Sequence, residues 1–288
     1  MISKYVKKMS IGTAQFGLAY GITNQIGAMQ IEECAAIIST ARDAGINKID
    51  TAPGYGDAEK KLGEIGLNGF LVNSKLPKLE HEETEKDILN IIEKSLKNLN
   101  ISQLDSLILH YPWDLRSEKK KDLILAIKTA KNLGYFRSLG ASIYLTSEAV
   151  EFNEILDFDL IQAPVNVLDT RFLQKGVFEH LKSSRISLQA RSIFLQGLLL
   201  DRSRSGYKNI SVHLTKELEN WFAWLDDNTY DAKSVILSSL LNDERIESIV
   251  FGVTSHIELK EILSFTDQQF SLPRIDVDYP LLDPRNWS

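Results

Sequence analysis

A chain of 288 residues with 43% hydrophobic and 25% charged side chains has the make-up of an ordinary globular protein, long enough to bury roughly 75% of the surface its unfolded form exposes, which sets disorder aside. Its net charge of −6, with acids and bases interspersed, offers no basic stripe for nucleic acid, and no apolar run reaches the roughly 20 residues of a membrane span. A single cysteine, Cys34, permits no disulfide within the chain, and the opening MISKYVKKMSIGTAQFG lacks a secretory apolar core, so a reducing, cytoplasmic setting is expected.

Strand-like and helix-like patterns then alternate from end to end. MSIGTA (9–14) is the first strand candidate. Cys34, Ile37, Ile38 and Ala41 recur at helical spacing, with Cys34 read as a small core residue and Gly45 as the stop. INKID (46–50) is the second strand, ending in Asp50, and the turn after it holds Tyr55 between two glycines. GFLVNSK (69–75) follows and ends in Lys75. Thr84 and Asp87 have capping-box spacing ahead of the stripe Ile88, Ile91, Ile92, Leu96 and Leu99. LDSLILHY (104–111) is the fourth strand and reaches His110. The run SEKKKD (117–122) reads as the solvated first turn of a helix carrying Leu123, Ile124, Ile127 and Ala130. FRSLGAS (136–142), FDLIQAP (158–164), RISLQARS (185–192) and IESIVFG (246–252) complete eight strand candidates, and a helix is expected at 256–264.

Eight strands in strict alternation with helices suit a closed (β/α)8 TIM barrel better than a doubly wound open sheet, the alternative. No linker or composition break divides residues 1–288, so a single domain is expected. In a barrel, chemistry gathers at the C-terminal ends of strands. Asp50, Lys75 and His110 sit there on three consecutive strands, with Tyr55 just beyond the first of them. Each has a structural reading by itself, as turn cap, solvated lysine, core histidine or packing phenol; their convergence on one mouth argues for a site.

GINKIDTAPGYGDAEKKLG, followed by Lys75 in VNSK and His110 in LILHYP, resembles the aldo-keto reductase family. The resemblance covers nearly the whole chain, including GTAQFG (12–17), GAS (140–142), IQAPVN (161–166) and ARSIFLQGLL (190–199). It implies reduction of an aldehyde or ketone, with NADPH as cofactor and NADH as the alternative, a small-molecule carbonyl substrate, no metal, and Asp50, Tyr55, Lys75 and His110 as a catalytic tetrad. The chemistry of these residue types agrees. Hydride arriving at a carbonyl carbon leaves charge on the oxygen and requires a proton, which Tyr55 can give. An ammonium about 4 Å from a phenol is worth roughly 4 kcal/mol to its phenolate at an effective dielectric near 20. Lys75 would supply that ammonium, Asp50 would hold it, and His110 would orient the carbonyl oxygen.

The absence of a Gly-x-Gly-x-x-Gly fingerprint fits a cofactor laid across the barrel mouth. By resemblance, Gly12 and Thr13 border it, Ser142 and Gln162 hold the carboxamide, and Gly252, Thr254 and Ser255 approach the phosphates and ribose. Gln162 also reads as a barrel-layer polar residue, and Thr254 or Ser255 as a helix cap. Three positions depart from the family pattern: Ile143 stands where Asn is usual, Arg191 where an aromatic ring stacks on the nicotinamide, and Glu258 near where a basic residue meets the 2′-phosphate. Thr254, Ser255, His256 and Lys260 against Glu258 balance to a small NADPH preference.

With GTAQFGLAYGITN (12–24) and ARSIFLQGLLL, these departures resemble a bacterial branch associated with carbohydrate and surface-polysaccharide synthesis. Trp113 is a candidate substrate contact beside Tyr55 and His110, and Arg202, Arg204, Tyr207 and Trp287 fall in loops around the mouth, where a sugar or anionic sugar-nucleotide carbonyl would suit them and solvated loop charges are the plainer reading. Two rival readings keep the barrel without carbonyl turnover: a cofactor-binding regulatory subunit, and an isomerase that retains its cofactor. Oligomeric state is not encoded in any of these features.

Overall fold

The computed structural model describes residues 4–22, 27–80, 83–273, 275 and 277–287. Thr23 and Asn24 of the 12–24 stretch, and Asp276 and Ser288 of the tail, lie outside them.

All eight expected strands form, each within two residues of the periodicity: β1 (Met9–Gly12), β2 (Lys48–Asp50), β3 (Leu71–Leu76), β4 (Leu104–Leu109), β5 (Phe136–Ser142), β6 (Leu160–Pro164), β7 (Ser187–Arg191) and β8 (Ser248–Gly252). They are parallel, run in sequence order and close, β8 pairing with β1 so that Gly12 lies opposite both Gly252 and Asp50. Closure excludes the doubly wound alternative.

Helices α1 (Ala14–Gly17), α2 (Ile31–Ala44), α3 (Ala58–Ile65), α4 (Glu85–Leu99), α5 (Lys120–Asn132), α6 (Thr146–Asn153), α7 (Lys175–Ser183), α8 (Val212–Asp227), α9 (Ala232–Leu241), α10 (His256–Leu263) and α11 (Tyr279–Leu282) follow or fall between the strands. The helical spacing is borne out in burial. Cys34, Ile37, Ile38 and Ala41 of α2 are buried, and the helix stops at Gly45 in the left-handed region, φ 85°. Thr84 and Asp87 form a reciprocal capping box on α4, a feature worth about 1 kcal/mol. Among the described residues no helix is long and apolar enough to cross a membrane.

Gly63 lets α3 lie directly on α4. A Cβ there would sit 2.0 Å from the carbonyl oxygen of Asn98, which is backbone and cannot swing away. Gly63→Ala is therefore expected to lower stability by about 1–3 kcal/mol, the cost of overpacking a closed interface. A urea midpoint that falls with unchanged slope would show it; an unshifted midpoint would mean the helices part freely.

Candidate active site

The register of the barrel brings the tetrad together. Asp50 ends β2, Lys75 lies one residue from the end of β3, and His110 follows β4, its N–H donating to the Leu76 carbonyl at 2.9 Å. Lys75 and Asp50 are both buried, and their side chains form an ion pair. The Lys75 ammonium also donates to the Thr51 carbonyl at 3.0 Å and to the Tyr55 hydroxyl oxygen at 3.2 Å. All three ammonium protons are thus committed, and Tyr55 accepts one of them. Its own hydroxyl proton is left to point elsewhere.

Tyr55 is placed by its backbone. Its N–H donates to Ala52, and its carbonyl accepts from Ala58 at the start of α3. The turn is pressed against the loop after β1: a Cβ on Gly17 would lie 1.9 Å from the Tyr55 carbonyl oxygen, and one on Gly56, at φ +61°, would lie 2.3 Å from the Gly17 carbonyl oxygen. Only glycine permits this approach. The Tyr55 and His110 rings meet edge to face, with centroids 6.0 Å apart.

Burial pulls the Lys75 ammonium down, but the Asp50 charge and then Tyr55 outweigh it, so Lys75 is raised above its ordinary value and stays charged. His110 moves the other way. Desolvation first, then the charges of Lys75 and Arg191, lower it to about 3. At neutral pH its imidazole is therefore uncharged, with one N–H to donate and no proton to lose.

Gln162 has both structural and site character. Its amide nitrogen donates to Asp50 at 2.6 Å and to Gln189 at 2.7 Å, and Gln189 in turn donates to Ser248 at 2.9 Å. This polar layer crosses the barrel and fixes the second oxygen of Asp50. Gln189 and Ser248 went unmarked in the sequence because an inward-facing polar residue on a strand gives no periodic signal. Thr13 is buried, and both its N–H and its hydroxyl donate to the Asp50 carbonyl at 3.0 Å.

A cavity of about 360 Å³ opens beside the tetrad. Gly12, Thr13, Asp50, Tyr55, Gln162, Arg191, Gly252, Thr254 and Glu258 all lie on its wall. Ser142, buried at the end of β5 opposite Gln162, Trp113 and Ser255 lie back from it. The cavity runs from the phenol, past two strand ends with no side chain, to the N-terminus of α10. That form suits an extended ligand reaching from the phenol to the helix.

The α10 end carries carboxylates where phosphate donors were expected. Glu258 accepts from the Thr254 N–H at 2.6 Å and from its hydroxyl at 2.7 Å. Ser255 caps the helix, its oxygen accepting from the Glu258 N–H at 3.0 Å. The backbone N–H and Nδ1 of His256 are both held by Glu33 of α2, whose carboxyl is lowered chiefly by that backbone bond. The helix N-terminus is thus already served by anions.

The opposite side of the mouth is built from stacked cations. The Arg191 guanidinium lies 4.2 Å from the Tyr144 ring centroid and that of Arg285 lies 3.5 Å from it. Trp113 packs on Tyr111 and edge-on to Phe152, with Arg285 5.8 Å from its ring. Tyr144 and Arg285 were missed because a contact spanning 141 residues leaves no local pattern, although Tyr144 follows a strand end by two positions.

Arg202 and Arg204 follow the plainer reading of solvated loop charges: they pair with Asp226 and Glu219 of α8 at 2.7 and 2.9 Å on the surface. Trp287 donates to the Leu281 carbonyl within the tail, and the Tyr207 hydroxyl is buried without a partner among the described residues.

A family model described as the aldo/keto reductase family matches residues 8–276. An NADH-specific methylglyoxal reductase of Escherichia coli is 24% identical over 89% of this chain and 88% of its own. A D-galacturonate reductase of Fragaria ananassa is 35% identical over 47% of this chain and 48% of its own, and a glyoxal reductase of Bacillus subtilis is 27% identical over 61% and 64%. The chain thus spans about half to two thirds of the length of several of the curated relatives it matches. A solved Pseudomonas aeruginosa structure assigned to the aldo-keto reductases superposes with a TM-score of 0.65 at 17% identity, covering 89% of this chain and 88% of that one, a likeness of fold.

Proposed function

The chain belongs to the aldo/keto reductase family, and from that premise we propose that it is one barrel domain that reduces an aldehyde or ketone at the expense of a nicotinamide cofactor. The observation that carries the reading is the buried Lys75 ammonium, which spends its three protons on Asp50, Thr51 and Tyr55. A nicotinamide cofactor held along the wall formed by Gly12, Thr13, Gln162 and Gly252 would supply the hydride. Tyr55 delivers its hydroxyl proton to the carbonyl oxygen, and the Lys75 charge stabilises the phenolate that remains. Neutral His110 donates its N–H to the same oxygen and sets its direction. Asp50, fixed by Gln162 and Thr13, keeps Lys75 in place.

Names of the relatives, reductases of glyoxal, methylglyoxal and galacturonate, support a small polar carbonyl compound or an oxidised sugar as substrate. The test is steady oxidation of NADH and NADPH with a panel of aldehydes and keto sugars. Turnover with none of them would leave a binding protein or an isomerase.

The α10 end suits NADH, the alternative cofactor, better than NADPH. Thr254 was expected to meet the 2′-phosphate, yet its two donors are taken by the Glu258 carboxylate. A 2′-phosphate would have to displace that carboxylate and lie beside it. A ribose hydroxyl can instead donate to it. The expected wild-type preference is for NADH, by up to about tenfold, or roughly 1.4 kcal/mol. Glu258→Arg removes the repulsion, frees Thr254 and offers a fork to phosphate, so it should reverse the order. Dissociation constants of both reduced cofactors, measured for both proteins at one salt concentration, decide the matter. A variant indistinguishable from wild type would place Glu258 away from the ribose.

A further inference from the structure

We propose that Arg191 is a specificity residue that takes a carboxylate on the substrate, so that the preferred carbonyl compounds carry an acid group. The inference rests on the carbonyl-reductase reading and narrows its substrate class.

Several other arginines of this protein are neutralised from close by in the sequence. Arg171, Arg245 and Arg285 each pair with an aspartate two residues earlier, Asp169, Asp243 and Asp283. Two of these, Arg171 and Arg285, meet Arg191 at Tyr144: Arg285 stacks on its ring and Arg171 donates to its carbonyl at 3.1 Å. Of the three guanidiniums around Tyr144, only Arg191 has no carboxylate within ion-pair distance among the described residues. Two residues before it stands Gln189, whose amide is engaged with Gln162 and Ser248.

Arg191 is also short of hydrogen bonds. A guanidinium has five N–H groups. This one makes two long bonds, to the Ser192 hydroxyl at 3.4 Å and the Ile143 carbonyl at 3.3 Å, and its Nε is buried with no partner. Tyr144 holds it by a face, which leaves N–H edges for a ligand. A half-buried cation left so incompletely satisfied is costly unless an anion completes it.

The place of the charge points to the substrate. Arg191 shares the cavity wall with Tyr55 and Gln162, and its field reaches His110, where it adds to the lowering that burial begins. An acid group on a molecule whose carbonyl meets Tyr55 lies within the reach of that field, and the planar fork favours a carboxylate bound through two bonds. The competing anion is a phosphate of the dinucleotide, and the experiment separates the two.

Matched substrate pairs give the readout: D-glucuronate with D-glucose, and succinic semialdehyde with butanal. Wild type is expected to favour the acid at least tenfold in kcat/KM in at least one pair. Arg191→Gln should shrink that ratio at least tenfold through KM for the acid, and Arg191→Lys should retain part of it. The binding counterpart is calorimetric titration of 4-hydroxybutyrate into protein with oxidised cofactor. Arg191→Gln should weaken that binding at least tenfold while 1,4-butanediol shows no difference between the proteins.

Equal rates within both pairs overturn the inference and leave carbonyl reduction standing. So does a variant that loses dinucleotide affinity with the acid ratio intact, since the charge then serves the cofactor. If neither member of either pair is reduced, carbonyl reduction of these compounds fails, and the titration still decides: Arg191-dependent binding of the acid upholds the inference, and its absence overturns it. Should Arg191→Gln fail to fold, the lysine variant carries the comparison, with an unchanged ratio and unchanged acid affinity counting against.

Discussion

Tyr55→Phe is expected to lower turnover by roughly 10²–10⁴-fold, the range assigned to loss of a general acid, while the dissociation constant of the reduced cofactor stays within about twofold. The selectivity of that effect follows from how the residue is held. Tyr55 is positioned by backbone bonds to Ala52 and Ala58 and by the contacts of Gly17 and Gly56, none of which involves its hydroxyl. The ring that meets His110 edge-on is kept in phenylalanine. What disappears is the proton. No neighbour replaces it: Lys75, paired with Asp50 and raised above its ordinary value, holds its protons, and His110, lowered to about 3, is not an acid at neutral pH. A variant that reduces aldehydes at near wild-type rate would remove Tyr55 from the chemistry and the tetrad reading with it.

Lys75→Met should impair turnover comparably and, unlike the phenol variant, should also cost stability. Removing one partner of a buried ion pair strands the other, at about 3–5 kcal/mol. Asp50 would keep its bond from Gln162 and lose its countercharge.

The pH dependence carries a sign. Lys75 is raised above its ordinary value of 10.5 in the folded protein. Its contribution to stability is therefore complete below that value and is lost as pH rises through the higher folded one. Wild type should show a fall in melting temperature in this alkaline range that Lys75→Met lacks. His110 contributes oppositely. Its folded value of about 3 lies below the ordinary 6.5, so the unfolded chain binds the proton first and stability declines as pH falls through that interval. An identical alkaline fall in both proteins would show that Lys75 is not coupled to Asp50 as its position requires.

What could be read before the fold was known, and what could not, divides along physical lines. Short apolar runs and period-3.6 stripes report burial, and burial is what closes the barrel, so all eight strands and the stripes of α2 and α4 were legible. Strand ends are legible too, because a barrel turns chain position into spatial convergence; Asp50, Lys75 and His110 needed no knowledge of contacts. Side-chain pairing was not legible. Glu258 was read as a neighbour of the phosphate site, whereas it occupies the Thr254 donors. Arg202 and Arg204 have a legible reading as solvated loop charges, but only the position of α8 reveals their acids. The Tyr144–Arg285 stack joins β5 to the tail with no sequence trace.

The glycine contact between the first two loops bears on how the protein can be changed. A (β/α)8 mouth invites loop exchange, because each loop belongs to its own βα unit. Here the loop that carries the phenol rests its carbonyl on the α-carbon of Gly17, and Gly17 rests its own on Gly56. The two units are not separable modules. A graft that replaces the segment after β1 to alter substrate range would resite Tyr55 unless it preserves that crossing of bare backbone.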